Sequence, residues 1–149
     1  MPIKTFRGLM ADGAQDTIHL HTNDGSTGYR ILKFQIFPNK PGTAEIESTC
    51  MIFKTEQASV STTLATVDFS DQTLLGVAYI AEGSATDQGQ VSLDTVVFDN
   101  EIFNQDIFIT HTATKVSESV NYYIELEQIK LDLNQNTVAT LKDIRNQAL

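Results

Sequence analysis

The sequence predicts an all-β protein, an antiparallel two-sheet sandwich of jelly-roll-like form with one short C-terminal α-helix. Apolar and polar residues alternate with a period of two along most of the chain, as half-buried strands require. Turn-forming pairs such as Asp12-Gly13 and Pro41-Gly42 separate these runs. Helical periodicity is confined to the last residues, Thr137 to Ala148. Many strands with frequent turns are typical of sandwiches and jelly rolls.

Eight or nine strands are expected, depending on a possible first strand, Ile3–Leu9. Leu32, Phe34 and Ile36 form one apolar face, and Pro38 ends that strand. Thr73 to Ala81 is almost continuously apolar, which favours a central strand, whereas Val60 to Phe69 alternates poorly. In sequence order the predicted strands are Ile3–Leu9, Asp16–Thr22, Leu32–Ile36, Ala44–Phe53, Val60–Phe69, Thr73–Ala81, Val91–Phe98, Asp106–Ala113 and Val120–Leu133.

Two strands carry further detail. One face of Ala44–Phe53 changes from polar to apolar along the strand. It is predicted to be exposed to solvent at its start, at Glu45, Glu47 and Thr49, and to be buried at its end, at Met51 and Phe53. The neighbours of Cys50 are small or apolar, so we expect a buried structural thiol. In the last strand the apolar residues stand at even positions up to Leu126 and at odd positions from Ile129 onwards. This change predicts a β-bulge near Glu127-Gln128.

The terminal helix, residues 137–148, is predicted to begin after Asn136 as its N-cap. Val138, Leu141, Ile144 and Ala148 form one apolar stripe. Because so short a helix is marginal alone, this stripe must dock. Two sites are open for it: the end of its own sandwich, or a neighbouring subunit. Residues 1–149 are expected to form a single domain.

Composition excludes several function classes. Ten Lys and Arg against 19 Asp and Glu give a formal charge of −9. So acidic a chain repels phosphate backbones, which argues against nucleic-acid binding, and it could attract a basic partner. No apolar run is long enough to span a membrane, and the amino terminus lacks the apolar core of a secretory signal. We therefore expect synthesis in the cytoplasm and no membrane partner.

One pattern could carry metal chemistry. Gly13 followed by His19 and His21 resembles the opening of the first cupin motif, which implies a metal-binding enzyme. The glutamate that this motif requires is replaced by Gly25 or Ser26. The favoured interpretation is that His19 and His21 lie on the solvent face of an outer strand. We accordingly predict no catalytic, cofactor-binding or metal residues, and no enzyme activity.

A carbohydrate-binding module is a third class, because such sandwiches also lack catalytic residues. The chain has no tryptophan and only four tyrosines that could stack on sugar rings. This composition weighs against sugar binding.

Three segments resemble virion structural proteins of tailed phages, particularly those that infect marine bacteria. They are Phe98–Ile107, Val120–Glu127 and Asn136–Arg145. The resemblance implies a virion component without catalytic residues, and it does not fix the place in the particle. Combined with the strand-rich domain, the acidic charge and the lack of site chemistry, it leads us to expect a capsid decoration or cement protein that braces coat subunits on the head, with a neck or tail component as the alternative. We further expect a homo-oligomer such as a trimer, coat or neck and tail proteins as partners, and a final location in the virion after synthesis in the host cytoplasm.

Overall fold

A computed structural model describes residues 2–41, 46–82, 91–98, 101–114 and 118–147. It confirms an all-β sandwich of two antiparallel sheets with one short C-terminal helix. In sequence order the elements are β1 (Ile3–Met10), β2 (Gln15–Ile18), β3 (Thr27–Pro38), β4 (Ile46–Phe53), β5 (Leu74–Glu82), β6 (Val91–Val97), β7 (Ile107–Ala113), β8 (Val120–Lys130) and α1 (Leu133–Gln147).

The sheets have three and five strands, in the orders β1-β8-β3 and β2-β7-β4-β5-β6. The first strand pairs with the last, and the second pairs with the seventh. This nested pairing resembles a long hairpin folded over on itself, which is how a jelly roll is wound. Strand β8 is central in the smaller sheet, and β4 separates β7 from β5 in the larger one.

The main core lies between the two sheets. Inward residues of β8 are almost fully buried, whereas the outward residues between them are half-exposed, so the predicted alternation holds there. Cys50 belongs to this core, and burial raises the pKa of its thiol, as expected for a structural cysteine. The β8 residues that point inward are Val120, Tyr122, Ile124 and Leu126.

Tyr122 connects the two sheets through its hydroxyl group. Its ring lies over Gly8 of β1, where a Cβ atom would come within 2.9 Å of the Tyr122 ring. Burial, reinforced by the charge and hydrogen bond of Asp16 in β2, raises the pKa of Tyr122 to about 12. Glycine at position 8 therefore makes room for an aromatic side chain that spans the core.

The outer face of the larger sheet is covered by the chain between β4 and β5. Met51 and Phe53 are buried there as predicted, in a second apolar cluster against which Ala65 packs. Phe69 meets Phe98 edge to face at 5.3 Å between ring centroids. The strand predicted over Val60–Phe69 is wrong, because these residues lie over a sheet face in turns and bends instead of joining a strand edge.

Several strand limits also differ from the prediction. Strand β2 ends at Ile18 because the backbone N–H groups of Leu20 and His21 donate to the Asp106 carboxylate, at 2.8 and 3.0 Å. Strand β3 begins at Thr27, well before the predicted start at Leu32. In β4, Glu47 is exposed as predicted, but Thr49 is buried, so its predicted exposure is wrong. The predicted positions 44 and 45 lie outside the described residues.

The predicted bulge lies on a different strand. Pairing of β3 with β8 shifts at Leu32, since Ile31 is opposite Leu126 while Lys33 is opposite Glu125. Around residues 127 and 128 the pairing is regular, so the bulge expected there is wrong. The shift of apolar residues from even to odd positions in this segment has another cause. Strand β8 ends at Lys130, and Leu131 turns inward beyond that end.

Leu32 is consequently 44% exposed, whereas its neighbour Ile31 is 2% exposed. We expect Ile31→Ala to lower the free energy of unfolding by about 2–5 kcal/mol because it leaves a cavity. Leu32→Ala is expected to cost less than about 1 kcal/mol. Urea unfolding of both variants measures the difference, and equal losses would contradict the position of the bulge.

His111 lies on the inward face of β7 and is fully buried. Its Nδ1 lies 3.1 Å from the Ala11 carbonyl oxygen, and its Nε2 has no hydrogen-bond partner. Burial lowers the pKa of His111 from its ordinary value of 6.5, and the bond to Ala11 only partly offsets this. The unfolded chain therefore binds this proton more readily than the folded one, so protonation favours unfolding.

We expect the free energy of unfolding to fall as the pH drops from about 7.5 to about 5.5, through the ordinary titration range of histidine. The change His111→Asn retains a donor for the Ala11 carbonyl but removes the titration. The variant should show a smaller slope over this pH interval in urea unfolding. An unchanged slope would show that His111 is not the group responsible.

Candidate functional site

Helix α1 begins with a reciprocal cap. Asp132 Oδ1 accepts the Gln135 N–H at 2.8 Å, and Gln135 Oε1 accepts the Asp132 N–H at 3.1 Å. Asp132 is therefore the N-cap. The predicted cap, Asn136, is wrong because its own N–H already donates to the Asp132 carbonyl inside the helix, at 2.8 Å.

The apolar residues of α1 face solvent. This apolar stripe consists of Leu133, Val138, Leu141 and Ile144, which are 79%, 65%, 62% and 55% exposed. The first of the two options for the predicted stripe, docking on the end of its own sandwich, is therefore wrong. Docking on a neighbour remains a prediction, and position 148 lies outside the described residues.

A polar face of α1 contacts the sandwich instead. Ala139 and Asp143 are buried there, and Asn136 and Thr140 are half-buried. The fully buried Asn104 joins this face to the body: its Nδ2 donates to Thr140 Oγ1 at 2.8 Å and to the Gly25 carbonyl at 3.2 Å. The surface of the sandwich under α1 presents backbone carbonyl and amide groups. Hydrogen bonds therefore determine which side of the helix faces the sandwich.

Gly25 fits tightly beneath the helix. Its φ of +66° is a conformation that side chains disfavour, and an added Cβ would lie 2.6 Å from Asn136 Oδ1. Asn136 Nδ2 donates to the neighbouring Asp24 carbonyl at 2.7 Å. The loop before β3 is thus fastened to the first turns of α1.

Four charged residues form an ionic cluster under α1, and two of them are buried. Lys54 and Asp143 are 2% and 1% exposed, with Nζ 3.4 Å from Oδ1, and Glu101 also contacts Lys54 Nζ. Lys142 Nζ lies 2.7 Å from Glu101 Oε1. Each charge has an opposite partner, which a desolvated site requires.

Burial raises the pKa of Asp143, although the charge of Lys54 and the Asn104 N–H bond oppose this. Burial would also raise the pKa of Glu101, but hydrogen bonds from Lys142 and Lys54 outweigh it and lower that pKa. The two carboxyl groups therefore differ in character: Asp143 is biased towards the neutral acid, and Glu101 towards the carboxylate.

His19 and His21 are exposed, as expected, although they lie just beyond the end of β2. Their Nδ1 atoms are 3.4 and 2.7 Å from the Asp106 carboxylate. Burial would raise the pKa of Asp106, but hydrogen bonds from His21 and Leu20 outweigh it and lower the pKa to about 2. This carboxylate fastens the chain between β2 and β3 to the start of β7.

Within the described ranges, no group of three or more His, Cys, Asp or Glu side chains is arranged to hold a metal ion. His111 is in the core, and Asp24 is bonded to Thr22 and Ser26. Neither residue joins His19 and His21 as the further metal ligand that the cupin interpretation requires.

Two of the surface clefts bear on the sugar-binding alternative. A cleft of about 360 Å³ between the loop before β3 and α1 is polar and includes Asp24, Gln105 and Asn136 but no aromatic residue. A second cleft, of about 240 Å³, contains Phe37, Tyr122 and Tyr123. The first offers hydrogen bonds without a stacking surface. The second places these aromatic residues beside the polar side chains of Gln35, Thr95 and Asn121.

Comparison with known proteins finds no match to any protein-family model or to any curated protein sequence. In the described part of the chain, no helix has the length and apolar character that crossing a bilayer requires. The resemblance to virion proteins thus stays a prediction.

Sequence reasoning missed the residues that hold α1. Lys54 follows the buried residues of β4 directly, and a lysine at the end of an apolar run was the available signal. Asn104 was noted only as part of the Phe98–Ile107 segment, and its buried position between α1 and the Gly25 loop depends on the tertiary contacts. Nothing in the local sequence indicates that these residues meet Asp143.

Asn104 offers a direct test of the helix anchor. We expect Asn104→Ala to lower the free energy of unfolding by about 2–3 kcal/mol, because it leaves buried partners without hydrogen bonds. Asn134→Ala on the exposed side of α1 serves as the control and should change stability by less than about 0.5 kcal/mol. Hydrogen exchange of the α1 amides should accelerate only in Asn104→Ala. Equal exchange in both variants would argue against the anchor.

Proposed function

We propose that this chain is a non-enzymatic structural protein of a tailed-phage virion, a decoration protein that binds the outside of the head and braces neighbouring coat subunits. The observation that carries the proposal is the apolar stripe of α1, which is aligned on one helix face and exposed to solvent. Exposed apolar patches on a folded protein mark interaction surfaces. The resemblance of three segments to virion proteins supports the same assignment.

The anchor of α1 suits this function. A helix held only by apolar contacts would be expected to turn its stripe inward. Here the buried contacts of Asn104 and Asp143 hold the opposite face against the sandwich. The stripe is therefore presented by a fixed helix, and little conformational freedom is lost when a partner binds.

The proposed partner surface is an apolar groove on the coat protein bordered by basic side chains. An amphipathic helix in a groove is a recurring mode of recognition. The formal charge of −9 favours the approach to a basic surface and opposes the approach of a second copy. A coat subunit is therefore a better occupant of this face than another copy of the chain.

The first test is whether the protein is present in virions. Mass spectrometry of purified particles of the encoding phage should detect the protein, and cryo-electron microscopy should place it on the head. Its absence from purified virions would overturn the proposal. Density at the neck or tail would overturn the decoration role and leave the alternative placement.

The stripe is tested by adding purified protein to particles that lack it. We expect Leu141→Asp to weaken binding at least about tenfold, because a charge replaces an apolar contact. Leu64→Asp, at a leucine that is 70% exposed outside α1, should bind like the wild type. Unchanged binding of Leu141→Asp would contradict the role of the stripe. The role would also be contradicted if the free wild-type protein were an oligomer by native mass and the Leu141→Asp substitution dissociated that oligomer.

A further inference from the structure

Lys54, Asp143 and Glu101 bring an amine and two carboxyl groups together, and the proposed decoration role needs them only as an anchor for α1. Lys54 directly follows β4, and its backbone N–H donates to the Thr73 carbonyl at 2.8 Å. Its side chain is buried, with Nζ 3.4 Å from Asp143 Oδ1 and in contact with Glu101. An amine, a carboxyl group and a second carboxylate thus share a site with little solvent.

We propose that Lys54 and Asp143 are joined by an intramolecular isopeptide bond. Lys54 Nζ attacks Asp143 Cγ, a carbon–nitrogen bond forms, and the bond from Cγ to one carboxyl oxygen breaks. The two hydrogens lost from the amine and acid leave with that oxygen as one water molecule. The reaction needs no oxidant, nucleotide or metal.

Burial favours the reacting protonation states. The amine must be neutral to attack, and the acid must be neutral to lose hydroxide as water. Transferring the proton from the ammonium group to the carboxylate removes two charges from a low-dielectric site, where separated charges are costly. Burial also raises the pKa of Asp143, in the direction that the reaction needs.

Glu101 is the proton carrier. Its carboxylate contacts Lys54 Nζ, so it can accept a proton from the attacking nitrogen and return it to the departing oxygen. Hydrogen bonds from Lys142 and Lys54 overcome the effect of burial and lower the pKa of Glu101, which keeps it ready to accept that proton. Glu101 touches a reacting atom and is the catalytic residue of the step.

The two oxygens of Asp143 have different surroundings. Oδ2 accepts the Asn104 backbone N–H at 3.3 Å, and this donor would stabilise the negative charge that develops when the carbonyl is attacked. Oδ1 is buried without a hydrogen-bond partner. We assign Oδ2 as the retained carbonyl oxygen and Oδ1 as the oxygen that leaves.

The experiment is an intact mass measurement on the purified, denatured full chain, with allowance for removal of the first methionine. The expected mass is lower than the sequence mass by one water molecule. Tryptic digestion should then yield a branched peptide that contains residues 54 and 143. A mass equal to that of the sequence would overturn the proposal.

Three variants identify the atoms involved. Lys54→Arg, Asp143→Ala and Glu101→Gln should each show the full sequence mass, whereas Lys130→Arg, at an exposed lysine, should still lose water. Circular dichroism establishes that Glu101→Gln is folded, which separates a lost reaction from a lost structure. Water loss that persists in Lys54→Arg would indicate another reaction, such as cyclisation of an aspartate, and would also overturn the proposal. The outcome is independent of whether the protein occurs in virions.

Discussion

Lys54 and Asp143 meet beneath α1 in a site with almost no solvent. A buried charge without a partner is among the most destabilising features that a fold can contain, so this contact constrains the helix strongly. Once Asp143 and Ala139 face the sandwich, helical geometry places Val138 and Leu141 on the opposite side. Electrostatics and hydrogen bonds therefore set the rotation of α1, and its apolar side chains are left outside.

The same constraint explains why several distant segments converge at one end of the sandwich. Lys54 comes from the end of β4, Asn104 precedes β7, and Gly25 precedes β3. Asn104 contacts the helix and the Gly25 loop with one amide group. The two sheets supply a rigid frame, and the polar groups at its end fix an element whose exposed face is available for binding.

Side-chain alternation made most of the sandwich predictable, because the period of a strand is the same wherever the strand lies. Tyr122, Ile124 and Leu126 show this directly, since each is buried where alternation places it. The bulge at Leu32 was not predictable, because Ile31 and Leu32 are adjacent apolar residues and alternation alone does not decide which of them points inward. The chain from Val60 to Phe69 resembled a strand because residues that cover a sheet are also partly apolar.

The candidate site was much less accessible to sequence reasoning. The stripe of α1 was identified, but the sequence left open whether it packs on its own sandwich, as apolar faces of helices usually do, or on a neighbour. Here the deciding partners are Lys54 and Asn104, which are distant in sequence and carry no motif. His19 and His21 illustrate the opposite case: their exposure follows from alternation, but their shared carboxylate, Asp106, becomes apparent only from the pairing of β2 with β7.

The position of β8 at the centre of its sheet has a consequence for biosynthesis. Strands β1 and β3 both pair with β8 and not with each other, so neither gains its neighbour until the ribosome has translated Lys130 and released it from the exit tunnel. Until then β1 and β3 lack their strand partner, and these amphipathic segments could pair wrongly between nascent molecules. Assembly of the smaller sheet is consequently a late event that joins segments distant in sequence. During translation, chaperones should therefore bind mainly to the unpaired segments of β1 and β3.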